Sequence, residues 1–220
     1  RTFTEQRREE MSNTGYVCGN PFSESELRSS DFSELIELWQ SAWTDPGTVP
    51  PEAVTDETIR LMREDSHERV IAHYMQPHCP FISQPELSKG KSLSKFGDQE
   101  WRDVWEQLRD GDLELETLWK GYRDNLNLGL QEVTSLLENV DAEKVVITSD
   151  HGNMFGERAS PIPIREWGHP PGIWTGELIK VPWLEQTNGN RKEIVSESPT
   201  ECSTDDDVAV QERLESLGYV

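Results

Sequence analysis

The chain has 220 residues, with 42 Asp and Glu against 21 Lys and Arg and a net charge of -21. That length suits one sizeable domain. The charge argues against nucleic acid or anionic membrane as a partner, because both would be repelled, and no run of about 18 apolar residues suggests a membrane span.

In chain order, Thr14 to Cys18 reads as a short strand running into the Gly19-Asn20-Pro21 turn. Asp31 to Trp43 is predicted as an amphipathic helix, since Phe32, Leu35, Ile36, Trp39 and Trp43 share one helical face. A second helix is predicted over Thr55 to Glu64, and a strand over Glu68 to Met75 centred on Val70, Ile71 and Ala72. A loop follows from Pro77 to Gly97. Asp98 to Arg109 is a helix with Trp101, Val104, Trp105 and Leu108 inward, closed by Gly111. The longest helix is Leu113 to Val140, with Leu115, Leu118, Trp119, Tyr122, Leu126, Leu130, Val133, Leu137 and Val140 in helical period. The strand Lys144 to Thr148 comes next.

From Ser149 to Thr175 the chain carries four Pro and four Gly and reads as one loop. It is far longer than the usual connector of about four to six residues, and such loops tend to be functional or disordered. Leu178 to Leu184 and Ile194-Val195 are further strand candidates. An acidic tail over 198-220 includes a short helix from Val208 to Leu217. Strands alternating with helices imply an α/β layer structure with a largely parallel sheet.

The acid is spread along the chain, and Asp205-Asp206-Asp207 is a short run. Such composition invites a disordered reading, which eight Trp and the periodic helices oppose. A folded protein with an acidic surface resembles those of salt-adapted organisms, where a Debye length of about 3 Å at molar salt makes self-repulsion tolerable. Cys18, Cys79 and Cys202 form no CxxC pair and suggest no disulfide framework, so a reducing cytoplasm is expected. The polar stretch Arg1 to Glu10 does not read as a signal peptide.

The most chemically suggestive stretch is Val145-Val146-Ile147-Thr148-Ser149-Asp150-His151-Gly152. A carboxylate beside an imidazole at a strand end is half of a metal site, combining a hard oxygen with a borderline nitrogen. Ligands of open α/β sheets gather at such carboxyl ends. The same residues also read as a plain turn, with Asp150 capping amides and Gly152 at positive φ. Further along, Gly168-His169-Pro170 offers a third ligand. Upstream, His78 follows the Glu68 to Met75 strand within Gln76-Pro77-His78-Cys79-Pro80-Phe81, and its prolines predict an extended backbone there. His73 lies within that strand and suits an interior role. A His73/His78/Cys79 zinc site matches by ligand type only.

Thr148-Ser149-Asp150-His151-Gly152, Gly156-Glu157 and Gly168-His169 resemble the C-terminal metal segment of the alkaline phosphatase/sulfatase superfamily. His78-Cys79-Pro80-Phe81 is similar to its His-x-Pro-Phe segment, Lys180-Val181-Pro182 to the Arg-Val-Pro strand after the metal loop, and Leu217-Gly218-Tyr219 to the family's C-terminus. The fit is closest to sulfatase-like proteins of haloarchaea. The resemblance implies an alkaline phosphatase-like three-layer sandwich with a mostly parallel central sheet. It also implies hydrolysis of a sulfate or phosphate ester of a small molecule or glycan. Asp150, His151 and His169 would then be metal ligands and His78 a contact to the substrate anion. A histidine at 151 favours zinc or manganese, with calcium or magnesium as alternatives.

The family's nucleophile and first metal aspartates belong to an N-terminal segment with no counterpart here, and Cys18 does not fit the sulfatase Cys-x-Pro-x-Arg pattern. The chain is therefore expected to be the C-terminal portion of one such domain spanning 1-220, inactive by itself. The competing expectation is a degenerate, non-catalytic member acting as a binding or interaction protein.

Overall fold

The computed structural model describes residues 5–64, 66–87 and 103–187. The expectations at Cys202, Ile194-Val195, the 198-220 tail and Leu217-Gly218-Tyr219 lie outside the described residues, as do residues 88–97 of the Pro77 to Gly97 loop and the start of the Asp98 helix.

At the centre of the N-terminal half is β1 (Thr14–Cys18), buried along its whole length. It is flanked by β2 (Glu34–Glu37) and β3 (Arg69–His73) in a three-stranded parallel sheet of order β2-β1-β3. Tyr16 sits opposite Leu35 on one side and Ile71 on the other. Strand alternation divides the core: Val17 joins Leu38, Val49, Val54 and Leu61, while Tyr16 and Cys18 join Met11 and Phe32. Met11 comes from the short helix α1 (Arg8–Ser12), and α2 (Ser23–Glu26) follows the turn after β1.

The predicted Asp31 to Trp43 helix is a strand followed by a 3-10 turn, Leu38–Gln40. The cause is two-sided burial. Ile36 packs into the Val17 cluster and Leu35 into the Tyr16 cluster, on opposite faces of the sheet. A strand covered on both faces shows a continuous apolar run that periodicity cannot separate from a helix.

The next helix, α3 (Pro51–Arg63), starts four residues before the predicted Thr55, at a proline in its first turn. Proline there loses no hydrogen bond and has the helical φ already set. Thr55, Thr58 and Leu61 are buried on its inner face. In α4 (Val104–Asp110) the Asp103 carboxylate accepts the Glu106 amide, Glu106 returns the bond to the Asp103 amide, and Gly111 closes the helix at φ 80.

The long helix α5 (Leu115–Asn139) was predicted within two residues at the start and one at the end, but its buried line differs. Leu118, Gly121, Asn125 and Gly129 are buried, whereas Leu115, Trp119, Leu126 and Leu130 are exposed. Small and amide side chains hold that line because a neighbouring segment comes close. A Cβ on Gly121 would run into the fully buried Phe81 ring.

After α5, β4 (Lys144–Thr148) pairs antiparallel with β7 (Trp183–Thr187) rather than joining the parallel sheet. The predicted loop from Ser149 to Thr175 contains a second antiparallel pair, β5 (Met154–Arg158) and β6 (Arg165–Gly168). The predicted strand Leu178 to Leu184 is split into a turn of helix, α6 (Gly176–Ile179), and the beginning of β7. The fold is thus mixed α/β, with a small parallel sheet and antiparallel pairs. None of the described helices is long and apolar enough to cross a membrane.

Gly152 ties these C-terminal elements together. Its amide donates to Leu178 O at 2.9 Å. It is absent from the glycines at positive φ, contrary to the turn reading. What demands glycine is space, because a Cβ would collide with the Glu177 backbone carbonyl. A backbone atom cannot swing aside as a side-chain tip can, so overpacking here is costly. Gly152→Ala is expected to lose about 2 kcal/mol, read as a lower urea midpoint at unchanged m-value.

Candidate functional site

Past β4 the chain turns at Ser149 to Asn153. Thr148 Oγ1 donates to Pro182 O at 2.7 Å, and the Asp150 carboxylate accepts the His151 amide at 2.9 Å. Asp150 therefore does cap its own turn, and its other oxygen remains beside His151. His151 Nδ1 lies 2.8 Å from Gly152 O. A carbonyl only accepts, so Nδ1 carries the proton and the ring's lone pair sits on Nε2. That Nε2 lies 3.6 Å from Asp150 Oδ2. Two acceptors held side by side call for a cation between them, either a proton or a metal.

His78 is held by a turn, not by the extended backbone expected of its proline neighbours: its amide donates to Met75 O at 2.9 Å. The governing contact comes from α5. Asn125, with no exposed surface, donates through Nδ2 to His78 O and Pro80 O, both at 3.0 Å, and accepts from the Ile82 amide at 2.9 Å. Three bonds from one fully buried amide set the path of the segment 78–82. His78 Nδ1 in turn bonds Cys79 O, which again places the lone pair on Nε2.

His169 follows β6 directly. Gly168 is at φ 69, in the left-handed region, and a Cβ there would press on the Trp105 indole at 2.9 Å. His169 Nδ1 is 3.1 Å from Asn153 Oδ1, and Asn153 Nδ2 donates to Tyr122 Oη at 3.3 Å. With the amide oriented by tyrosine, its oxygen faces the imidazole, so Nδ1 is the donor here as well.

The three imidazoles come together from separate segments. His151 stacks on His169 with ring centroids 4.3 Å apart, and His78 meets His169 edge-on at 5.5 Å. Burial, followed by the nearby His151 and His78 rings, lowers the His169 pKa to about 4, with Asp150 and Asp103 opposing. His169 is an exposed residue, so solvent screens part of this effect. Asp150 also acts through its charge on Tyr16, His73 and Tyr122. Its carboxylate therefore faces the carboxyl end of β1 and β3 as well as the histidines.

His73 belongs to the interior, as expected. Its Nδ1 is 2.8 Å from Tyr16 Oη and 3.6 Å from Cys18 Sγ. Burial holds this cluster uncharged: it lowers His73 and raises both Tyr16 and Cys18. Cys79 is buried with Phe81, Val104, Trp105, Leu113 and Leu118. The His73/His78/Cys79 zinc alternative thus does not form, since each residue has a different neighbourhood.

For a metal at Asp150, His151 and His169, the donor chemistry fits. All three histidines have Nδ1 turned to an oxygen, the usual outer support of an Nε2 ligand, and the Asp150–His151 acceptor pair matches a cation. Among the described residues, however, no group of three or more His, Cys, Asp or Glu is arranged to hold a metal ion. The stacking of His151 on His169 keeps their lone pairs from converging on one point.

Sequence reasoning missed Asn125, Asn153 and Tyr122, which position the histidines. Asn125 left a signal, an amide in the middle of an amphipathic helix. Asn153 and Tyr122 left none. Compared with protein-family models, curated proteins and solved structures, the chain finds no match.

Two outcomes are expected. Asn125→Ala strands two carbonyls and an amide and should cost on the order of 3 kcal/mol, measured by chemical denaturation. The His169 imidazole should titrate well below 6.5 by NMR, and higher in His151→Ala, where a like neighbour is gone. With the folded pKa below the unfolded one, the unfolded chain binds more protons as pH falls from about 6.5 toward 4. Stability from this group is therefore complete above 6.5 and is lost on acidification, and His169→Asn should flatten that slope.

Proposed function

We propose that the chain serves the metal-dependent hydrolysis of sulfate or phosphate esters, with an alkaline phosphatase-like three-layer sandwich. One observation carries the reading: His78, His151 and His169, singled out from three distant segments, gather beside Asp150. In this reading Asp150 and His151 hold the cation, His169 supplies a third donor after a modest ring rotation, and His78 faces the substrate anion. A zinc or manganese ion, with calcium or magnesium as alternatives, would stabilise charge on the transferring group and lower the pKa of a hydroxyl nucleophile.

The chain's own contribution is electrostatic and positional. Asn125 fixes the backbone that carries His78, and the Cys79, Gly152 and Asn153 oxygens orient the three rings, so the ordering left for binding is the rotation of His169. An imidazole whose Nδ1–H is bound to an oxygen turns its Nε2 lone pair toward a cation. Supporting features are the acceptor pair at Asp150 and His151 and the placement of the cluster near the carboxyl ends of parallel strands.

The test joins metal uptake to turnover. Zinc or manganese should bind the 220-residue chain, and Asp150→Ala or His151→Ala should weaken it by more than the about 10- to 100-fold that losing an outer-shell partner costs, measured by calorimetry. The same substitutions in the full coding sequence should abolish hydrolysis of an aryl sulfate or a phosphodiester. Metal-independent turnover, or turnover indifferent to both substitutions, would falsify the reading. Metal and ester binding without turnover would instead support the non-catalytic binding protein.

A further inference from the structure

A second polar cluster lies at the amino ends of the parallel strands, opposite to the end that carries His73. Ser33 immediately precedes β2, and His67 lies two residues before β3. Ser33 Oγ is 2.7 Å from His67 Nδ1, and His67 Nε2 is 3.5 Å from Glu34 Oε2. A hydroxyl, an imidazole and a carboxylate thus stand in line, drawn from two separate segments.

The imidazole is packed in place. Its side chain is 5% exposed, and it lies over Gly15, where an added Cβ would come within 3.2 Å of the ring. His67 Nε2 is sealed from solvent and has no hydrogen bond among the described residues, so the acceptor it faces is the Glu34 carboxylate. Arg60 Nη2 holds the other carboxylate oxygen, Oε1, at 3.1 Å. A carboxylate accepts, which places the ring proton on Nε2 and the lone pair on Nδ1. Ser33 can supply the hydroxyl proton that this lone pair needs. At His151 the opposite holds, because its Nδ1 meets a carbonyl. A serine donating to an imidazole whose far nitrogen is oriented by a carboxylate is the arrangement that activates a nucleophile.

We propose that Ser33 is a nucleophile for acyl transfer, with His67 as its base and Glu34 as the residue that positions the imidazole. Ser33 Oγ adds to the carbonyl carbon of an ester while its proton passes to His67 Nδ1. The bond to the leaving oxygen then breaks and that oxygen takes the proton from Nδ1, so an alcohol departs and an acyl-serine forms. Water adds next and gives a proton to Nδ1, which returns it to Ser33 Oγ as the carboxylic acid leaves. The surroundings narrow the substrate. The nucleophile's own amide, a usual oxyanion donor, is already bonded to Thr14 O at 3.1 Å, and Ser33 is an exposed residue. Charge on the carbonyl oxygen is therefore left to solvent, which selects an acyl group with a good leaving group, an aryl ester or thioester, over an amide. Glu34 and Glu68, adjacent in sequence to Ser33 and His67, and the net charge of -21 disfavour an anionic acyl group.

The test is reaction of the 220-residue chain with 4-nitrophenyl acetate, read as nitrophenol release, with the modified residue located by peptide mass spectrometry. A burst of nitrophenol is expected, leaving an acetyl group on Ser33. EDTA should change neither, which separates this chemistry from the metal-dependent hydrolysis proposed for Asp150 and His151. Ser33→Ala and His67→Gln should each slow release by about 100-fold or more. Glu34→Gln should slow it by about tenfold at unchanged half-saturation, the effect of one weakened hydrogen bond to the imidazole. Should His67→Gln fail to fold, Ser33→Ala carries the test, since that side chain is small and at the surface. An acetyl group only on other residues, release that EDTA abolishes, or unchanged release in a folded Ser33→Ala or His67→Gln would overturn the proposal.

Discussion

One buried amide organises the candidate site. Asn125 projects from the middle of α5 and makes three hydrogen bonds to the segment that carries His78. Without it, two carbonyls and an amide of this partly buried segment would lose their partner. That cost keeps the segment in one path against the helix. Gly121, one turn earlier, leaves the space that Phe81 fills, so the amide and the ring act as one docking surface. The same helix supplies Tyr122, which orients Asn153 and through it His169. Two of the three histidines thus take their placement from adjacent turns of one helix.

The third histidine is set by a different constraint. Gly152 lies against the Glu177 carbonyl, and its amide is bonded to Leu178 O. This contact fixes the turn after β4 and keeps Asp150 and His151 at its exposed side. In each case a backbone or amide oxygen receives Nδ1–H, leaving the ring's lone pair on Nε2. The ring orientations are therefore set by hydrogen bonds to oxygens rather than by ion pairs. Exposed pairs such as Lys120–Asp124 at 2.7 Å and Arg60–Glu57 at 2.7 Å stabilise their helices only modestly. In concentrated salt they would weaken further, while the short-range dipoles around the histidines would not.

Burial divides the titratable groups into two kinds. Tyr16, Cys18 and His73 sit at the end of the parallel sheet, kept uncharged by desolvation, and serve packing. His78, His151 and His169 lie nearer the surface and face one another and Asp150. The two groups are neighbours, and Asp150 acts on members of both. Their chemistry nevertheless differs, because the second includes the exposed His169 with a cavity beside it.

Much of this was legible in the sequence. The strands around Val17 and Ile71, the long helix and the residues His78, Asp150, His151 and His169 all followed from apolar runs and unusual local chemistry. Such signals are local, and neighbouring residues determine them. What the sequence did not carry was anything set by distant partners. Leu35 and Ile36 read as helix because burial on both faces of a sheet erases alternation. Within the predicted Ser149 to Thr175 loop, β5 and β6 exist only by virtue of pairing with each other. The orientation of β4, antiparallel to β7, was likewise decided by its partner. The roles of Asn125 and Gly152 depend on which backbone lies against them, and that is a property of the packed molecule. Residue types and local periodicity therefore determined which side chains could carry chemistry, while tertiary contacts alone decided which of them meet and which way their nitrogens face.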